Sequence, residues 1–223
     1  MAGEQRIPLW AKGIYSAFVG ILVPIYWRDY GPTNFLYFCD VALLITLVAL
    51  WTERPLLASM PAVGILLPQA LWCVDFLATL AGYPLVGLTG YMFDDRYPLL
   101  TRQLSFFHFW LPFVLAWLVW RLGYDRRALA GWGVLATVLV LFCYLAMPAP
   151  PAPPDQPNLP VNINYVYGLS DQAPQSWFHP HLYVLVLLLV LNLGIFLPTH
   201  WLLVRFAPSA ALVPIDRGEE TTG

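Results

Sequence analysis

Asp40, Asp75 and His108 are ionisable side chains set inside apolar stretches long enough to cross a membrane. A charge at the centre of hydrocarbon costs roughly 2.5–3.5 kcal/mol even on the mildest insertion scale, so such residues face a bundle interior or a wet cavity and find partners there. Counted from the ends of the spans that the hydropathy pattern predicts, each lies about 8–11 Å below one membrane face. Two carboxylates and an imidazole from three helices can move a proton, bind a donor or ligate a divalent ion. They can equally form a hydrogen-bonded set that only fixes helix register. No spacing motif marks a metal site, and neither a metal nor a cofactor is expected. Cys39 and Cys73 fall within a turn of the same level, Asn34 lies nearer the surface, and Gln69 sits about one turn deeper on the Cys73 face. Ser105, three residues before His108, can share its face.

A second group of polar residues follows a proline run. Val161-Asn162-Ile163-Asn164-Tyr165 alternates polar and apolar, which places Asn162 and Asn164 on one side and Val161, Ile163 and Tyr165 on the other. Such a segment can fold back as a lid that brings amide donors to a pocket. Asn34, Gln69, Asn162, Asn164 and Tyr165 are the expected substrate-binding residues. His179 and His181 belong to the headgroup layer, His200 to the end of the last span, and Asn192 to a helix–helix hydrogen bond.

The elements that must position these residues are transmembrane helices. Of 223 residues, 59% are hydrophobic and only 11% charged, with mean hydropathy +0.64, whereas soluble domains are typically about 25% charged. The fold class expected is all-α: one integral membrane domain, 1–223, in the form of a polytopic helix bundle. The spans are Leu9–Trp27, Thr33–Trp51, Leu56–Ala81, Gln103–Leu122, Ala128–Met147 and Leu182–Phe206. Six transmembrane helices result, or five if the first stretch, which carries Lys12 and Pro24, lies in the interface. Tyr83–Thr101 is too polar to span and reads as a short surface helix or re-entrant loop. Residues 148–178 form a Pro-rich outer loop, and 207–223 a cytoplasmic tail.

Six spans with both termini cytoplasmic put eight Lys/Arg inside and Arg28, Arg96 and Arg102 outside, as the positive-inside tendency favours. The expected location is a bacterial inner membrane, since no eukaryotic sorting signal is visible, and the expected partners are membrane lipids. A net charge of −2 leaves no footprint for nucleic acid. The three cysteines lack C-x-x-C spacing and indicate neither a disulfide framework nor a zinc site.

Phe38-Cys39-Asp40 before an aliphatic run is followed by Gln69-Ala70-Leu71 with Asp75 six residues beyond Gln69. His108 then opens a later span, and Asn164-Tyr165-Val166-Tyr167 follows an outer loop. In this order, from about Asn34 to Leu191, the chain resembles the YwaF-like family of six-helix integral membrane proteins, which includes an intramembrane phospholipid acyltransferase. The resemblance implies Cys39 as nucleophile and His108 as the base that takes its proton. Asp40 or Asp75 would orient the imidazole, and Asn162 or Asn164 would donate to a developing oxyanion. The chain departs from the family at Asn34–Phe38, which lacks a histidine, at Phe109–Pro112, which replaces paired glycines, and at Gln175–Pro180. Similarity to the androgen-induced-gene family of intramembrane lipid hydrolases is weaker, because the position of its threonine falls near Tyr37. Beside a lipid acyltransferase or hydrolase, two other classes fit the residues. One is a small proton- or cation-coupled transporter using Asp40 and Asp75, although no repeated halves are visible. The other is a non-catalytic lipid-binding or structural membrane protein.

Overall fold

The computed structural model describes residues 6–95, 97–157 and 159–210. Arg96, Arg217 and the tail beyond 210 lie outside the described residues. The chain forms α1 (Leu9–Tyr30), α2 (Phe38–Thr52), α3 (Pro55–Leu80), α4 (Leu99–Ser105), α5 (Phe107–Leu122), α6 (Ala128–Ala146), α7 (Pro180–Leu189) and α8 (Leu197–Phe206). Five helical stretches among the described residues are long and apolar enough to cross a membrane: α1, α3, α4 with α5, α6, and α7 through α8. The first stretch is thus a helix of span length, 22 residues. Ile21, Val48, Leu77, Val134 and Leu145 face outward and exposed, the arrangement a bundle takes when its solvent is hydrocarbon.

α3 lies at the centre and packs on α2, α5, α6 and α8. Its approach to α6 requires Gly64: a Cβ there would collide with the indole of Trp132. Two residues, Glu53 and Arg54, join α2 to α3, and Glu53 takes the left-handed conformation (φ 51°) that turns the chain. The same residue closes this end of the bundle. Lys12 Nζ sits 2.6 Å from its carboxylate, which also accepts from the N–H groups of Arg6 and Ile7. Burial works against the charged form of Glu53, but Lys12 and these two N–H groups outweigh it and hold the carboxyl below its ordinary value. Nearby, Tyr124 pairs with Pro208 and Ala210 through its backbone, so residues 207–210 are tied to the same end. With Lys12, Arg54, Arg121, Arg126, Arg127 and Arg205 gathered there, it is the basic end.

α2 departs most from the hydropathy reading. It begins at Phe38, five residues after the expected Thr33, and its 15 residues rise about 22 Å against about 33 Å for α1. The connection must therefore descend into the bundle. It does so as a 3-10 turn, Pro32–Leu36, with Asn34 buried. Tyr37 is extended, and the first helical N–H, that of Phe38, donates to Asn164 Oδ1 at 3.0 Å. A residue 126 positions away thus caps α2, which hydropathy alone cannot register.

Proline shapes α5. Pro112 has no N–H to offer the His108 carbonyl four residues back. The thiol of Cys73 on α3 approaches that oxygen at 3.9 Å instead. Between α7 and α8 the helix widens to a π stretch, Val190–Phe196. Asn192, expected to bond across helices, donates to Leu188 O of its own helix at 2.8 Å. Its Oδ1 abuts the position where Gly133 lacks a Cβ.

Candidate functional site

The three ionisable residues do not meet. Asp75 is saturated: one carboxylate oxygen accepts from the N–H groups of Leu85, Val86 and Gly87, at 3.2, 2.7 and 3.1 Å. The other accepts from the Thr89 N–H and hydroxyl at 3.0 and 2.9 Å. Consecutive N–H groups turned toward one anion form a nest, and Gly87 makes the turn possible with φ +83°. Asp75 therefore moors the 81–98 connection onto the end of α3. That connection is a loop with a 3-10 turn, Gly90–Phe93, followed by α4, in keeping with a short helix or re-entrant segment.

Asp40 lies elsewhere. Counted from the shared turn at the basic end, it is 12 residues up α2, about 18 Å, whereas Asp75 is 20 residues up α3, about 30 Å. The common depth expected from hydropathy fails because α2 starts late. Asp40 is 3% exposed. Its Oδ2 has only long contacts, to Asn34 Nδ2 at 3.4 Å and Cys39 Sγ at 3.9 Å. Its Oδ1 has no partner, and no ion pair among the described residues involves it. Gln69, 14 residues up the antiparallel α3 at about 21 Å, is 4% exposed, and its Oε1 also has no partner. Two acceptor oxygens without donors thus lie at one level of two packed helices.

Tyrosines and a serine surround this level. Tyr26, Tyr30 and Tyr37 lie in the neighbourhood of Asp40. Tyr26 shares a 2.6 Å hydrogen bond with Ser105. Tyr91, in the 3-10 turn that Asp75 moors, lies near Trp72 and Ser105. Burial pushes its phenol up, and the neighbouring Cys39 adds to the shift. Tyr26, Tyr91 and Trp72 were not recognisable as site residues from sequence. Trp and Tyr abound in this chain, and only Tyr26 and Tyr30, at i and i+4, share a visible face.

His108 lies one turn beyond Ser105, at the start of α5. Its Nδ1 is 2.7 Å from the Ser105 carbonyl, and its ring stacks on Trp72 at 5.3 Å between centroids. Among the described residues its hydrogen bonds include neither Asp40, Asp75 nor Cys39. The acidic group beside the Cys39 thiol is Asp40.

The asparagines of the outer loop are committed to the scaffold. Asn162 Nδ2 donates toward the Gly168 and Ser170 carbonyls and Asp171, while its Oδ1 accepts from Tyr167 N–H. Asn164 Oδ1 caps α2, and its Nδ2 donates to Leu36 O at 2.9 Å. The expected alternation of faces fails because Asn162, Asn164 and Tyr165 all take positive φ (52°, 58° and 62°). Asn162, Ile163 and Asn164 all become buried, and Tyr165 is exposed. Asp171, held near Asn162, is pushed up by burial, with the Asn162 hydrogen bond opposing.

No known protein family, characterised protein or solved structure matches the chain. The roles of these residues rest on geometry alone. Among the described residues no group of three or more His, Cys, Asp or Glu could hold a metal ion.

Proposed function

We propose that this multi-pass membrane protein binds the polar head of a membrane-resident molecule between α2 and α3. Asp40 and Gln69 accept hydrogen bonds from a hydroxyl or amino group of that ligand, while its apolar remainder stays in the bundle or the bilayer. The observation that carries this reading is the pair of buried acceptor oxygens at one level with no donor. Leaving one such group unmet costs about 1–3 kcal/mol, and a donor-bearing ligand removes that cost for both. Tyr26, Ser105 and Tyr91 supply further hydroxyls beside the same level.

The test uses full-length protein purified in mild detergent, with bound small molecules extracted and identified by mass spectrometry. Wild type is expected to retain an amphiphile bearing a hydroxyl or amine. Asp40→Asn and Gln69→Leu should each lower its retention about tenfold, the loss of one strong hydrogen bond. Equal retention by the variants, or no amphiphile in wild type, rejects the reading.

A lipid acyltransferase or hydrolase is the second reading, supported by the 3.9 Å approach of Cys39 Sγ to Asp40. In that chemistry Asp40 takes the thiol proton, and the sulfur attacks the carbonyl of a lipid ester. The S–acyl bond forms as the C–O bond breaks, and the departing alkoxide takes a proton. The acyl group then passes to water or to an acceptor alcohol. An alkylating activity probe that labels wild type but not Cys39→Ser supports it; failure to label wild type rejects it.

Orientation follows the charge. We infer that the basic end faces the cytoplasm with both chain ends, as in a bacterial inner membrane. The asymmetry of Lys and Arg between the two ends supports this, and labelling of single cysteines placed in the 53–54 turn and the 148–157 loop tests it.

A further inference from the structure

A groove of about 570 Å³ opens on the lipid-facing side of the bundle between α1 and α5. Trp10, Ala11 and Phe18 line it from α1, Trp110 and Trp117 from α5, and Leu50 of α2 closes its floor. Along the helix axes it extends about 10–12 Å, and it lies in the half of the bundle nearer the basic end. The wall is apolar and largely aromatic.

The end of this groove is positively charged. Arg121 stands one turn beyond Trp117 on the same face of α5. It is exposed, and two of its N–H groups reach the Arg6 carbonyl, with Nη2 at 2.7 Å and Nε at 3.3 Å. No carboxylate among the described residues pairs with it. Among the described residues, the acidic ones of this end, Glu53 and Asp125, are taken by Lys12 and Arg127. Arg54, Arg126 and Arg205 have no ion pair among the described residues either. The groove therefore joins an apolar slot in the bilayer to a surplus of positive charge, among the described residues, at headgroup depth.

We propose that this groove is a binding site for one anionic glycerophospholipid of the leaflet at the basic end. One acyl chain fills the slot between Trp110 and Ala11, and the phosphate accepts from the remaining guanidinium N–H groups of Arg121. The charge selects a lipid over a second copy of the chain. A copy inserted in the same orientation would bring its own unpaired arginines to the same depth, where like charges oppose association. An anionic headgroup is instead drawn to such a cluster. The site is separate from the Asp40–Gln69 level and does not depend on it.

Native mass spectrometry of the full chain with phosphatidylglycerol or phosphatidylcholine of identical acyl chains tests the proposal. Wild type should prefer phosphatidylglycerol. Arg121→Gln should reduce that preference about fivefold, the attraction of one interfacial cation, and leave phosphatidylcholine binding unchanged. Ala11→Phe and Val114→Trp, which fill the groove, should weaken binding of both lipids, with melting curves identifying the variants that fold. If neither filling variant folds, Arg121→Gln decides alone. No preference in wild type, an unchanged preference in Arg121→Gln, or full binding by a folded groove-filling variant overturns it. So does a dimer cross-linked through the groove.

Discussion

Asp75 and Asp40 are buried carboxylates on adjacent, antiparallel helices, and their surroundings are opposite. Asp75 receives five hydrogen bonds from one five-residue stretch of its own chain, 85–89. Asp40 receives two long ones and keeps an oxygen with none. A buried charge is tolerated when hydrogen bonds replace its lost water. Asp75 meets that condition within the fold, so its task is finished when the loop is moored. Asp40 does not, and a buried, half-met acceptor is what a binding group looks like before its ligand arrives.

Four substitutions or conditions bear on that contrast. Asp75→Ala should have the largest effect, a loss of roughly 3 kcal/mol or more, because it strands four N–H groups and a hydroxyl at once. The midpoint of thermal unfolding in detergent reports it, and a change within experimental error would erase the contrast. Asn164→Ala removes the cap on Phe38 and the bond to Leu36, which should cost about 1–2 kcal/mol. Its effect on unfolding should exceed any effect on ligand retention, which marks it as scaffold.

Acid should act through Glu53, at the end of the bundle far from both carboxylates. Its folded pKa is depressed, so its contribution is complete above its ordinary value of 4.5. That contribution disappears as pH falls through the lower folded value. The change is expected to stay below about 1 kcal/mol, since the pair is partly exposed. Glu53→Gln should flatten this part of a melting profile taken between pH 7 and pH 3. Asp40→Leu should have the smallest effect on stability, within about 1 kcal/mol of wild type and of either sign, because it removes a buried polar group that the fold leaves half satisfied. A loss as large as that of Asp75→Ala would make Asp40 a structural residue and sink its role in binding.

Much of the fold was legible because its signal is local. A run of about 20 apolar residues bounded by charge or proline reports a span without knowledge of its neighbours, and α3, α6 and the α7–α8 stretch appear within a few residues of where hydropathy places them. α2 shows where that signal fails. Thr33–Tyr37 is as apolar as a helix turn needs to be, yet it leaves the helix because Asn164, 126 positions away, takes the Phe38 N–H. The left-handed backbone at Asn162, Asn164 and Tyr165 escaped for a related reason. Alternation of side chains predicts an extended segment, and only tertiary hydrogen bonds hold these residues at positive φ.

The sequence by itself determined that this chain suits a bilayer, which stretches are long and apolar enough to cross it, and that Asp40, Asp75 and His108 could not lie in lipid unpartnered. Those conclusions follow from transfer free energies, which belong to each residue and its immediate neighbours. Which of the three is satisfied was decided by the tertiary structure alone. Hydrogen-bond partners for a buried group come from whatever the fold brings within about 3 Å: a nest of N–H groups for Asp75, the Ser105 carbonyl for His108, and an unmet oxygen for Asp40.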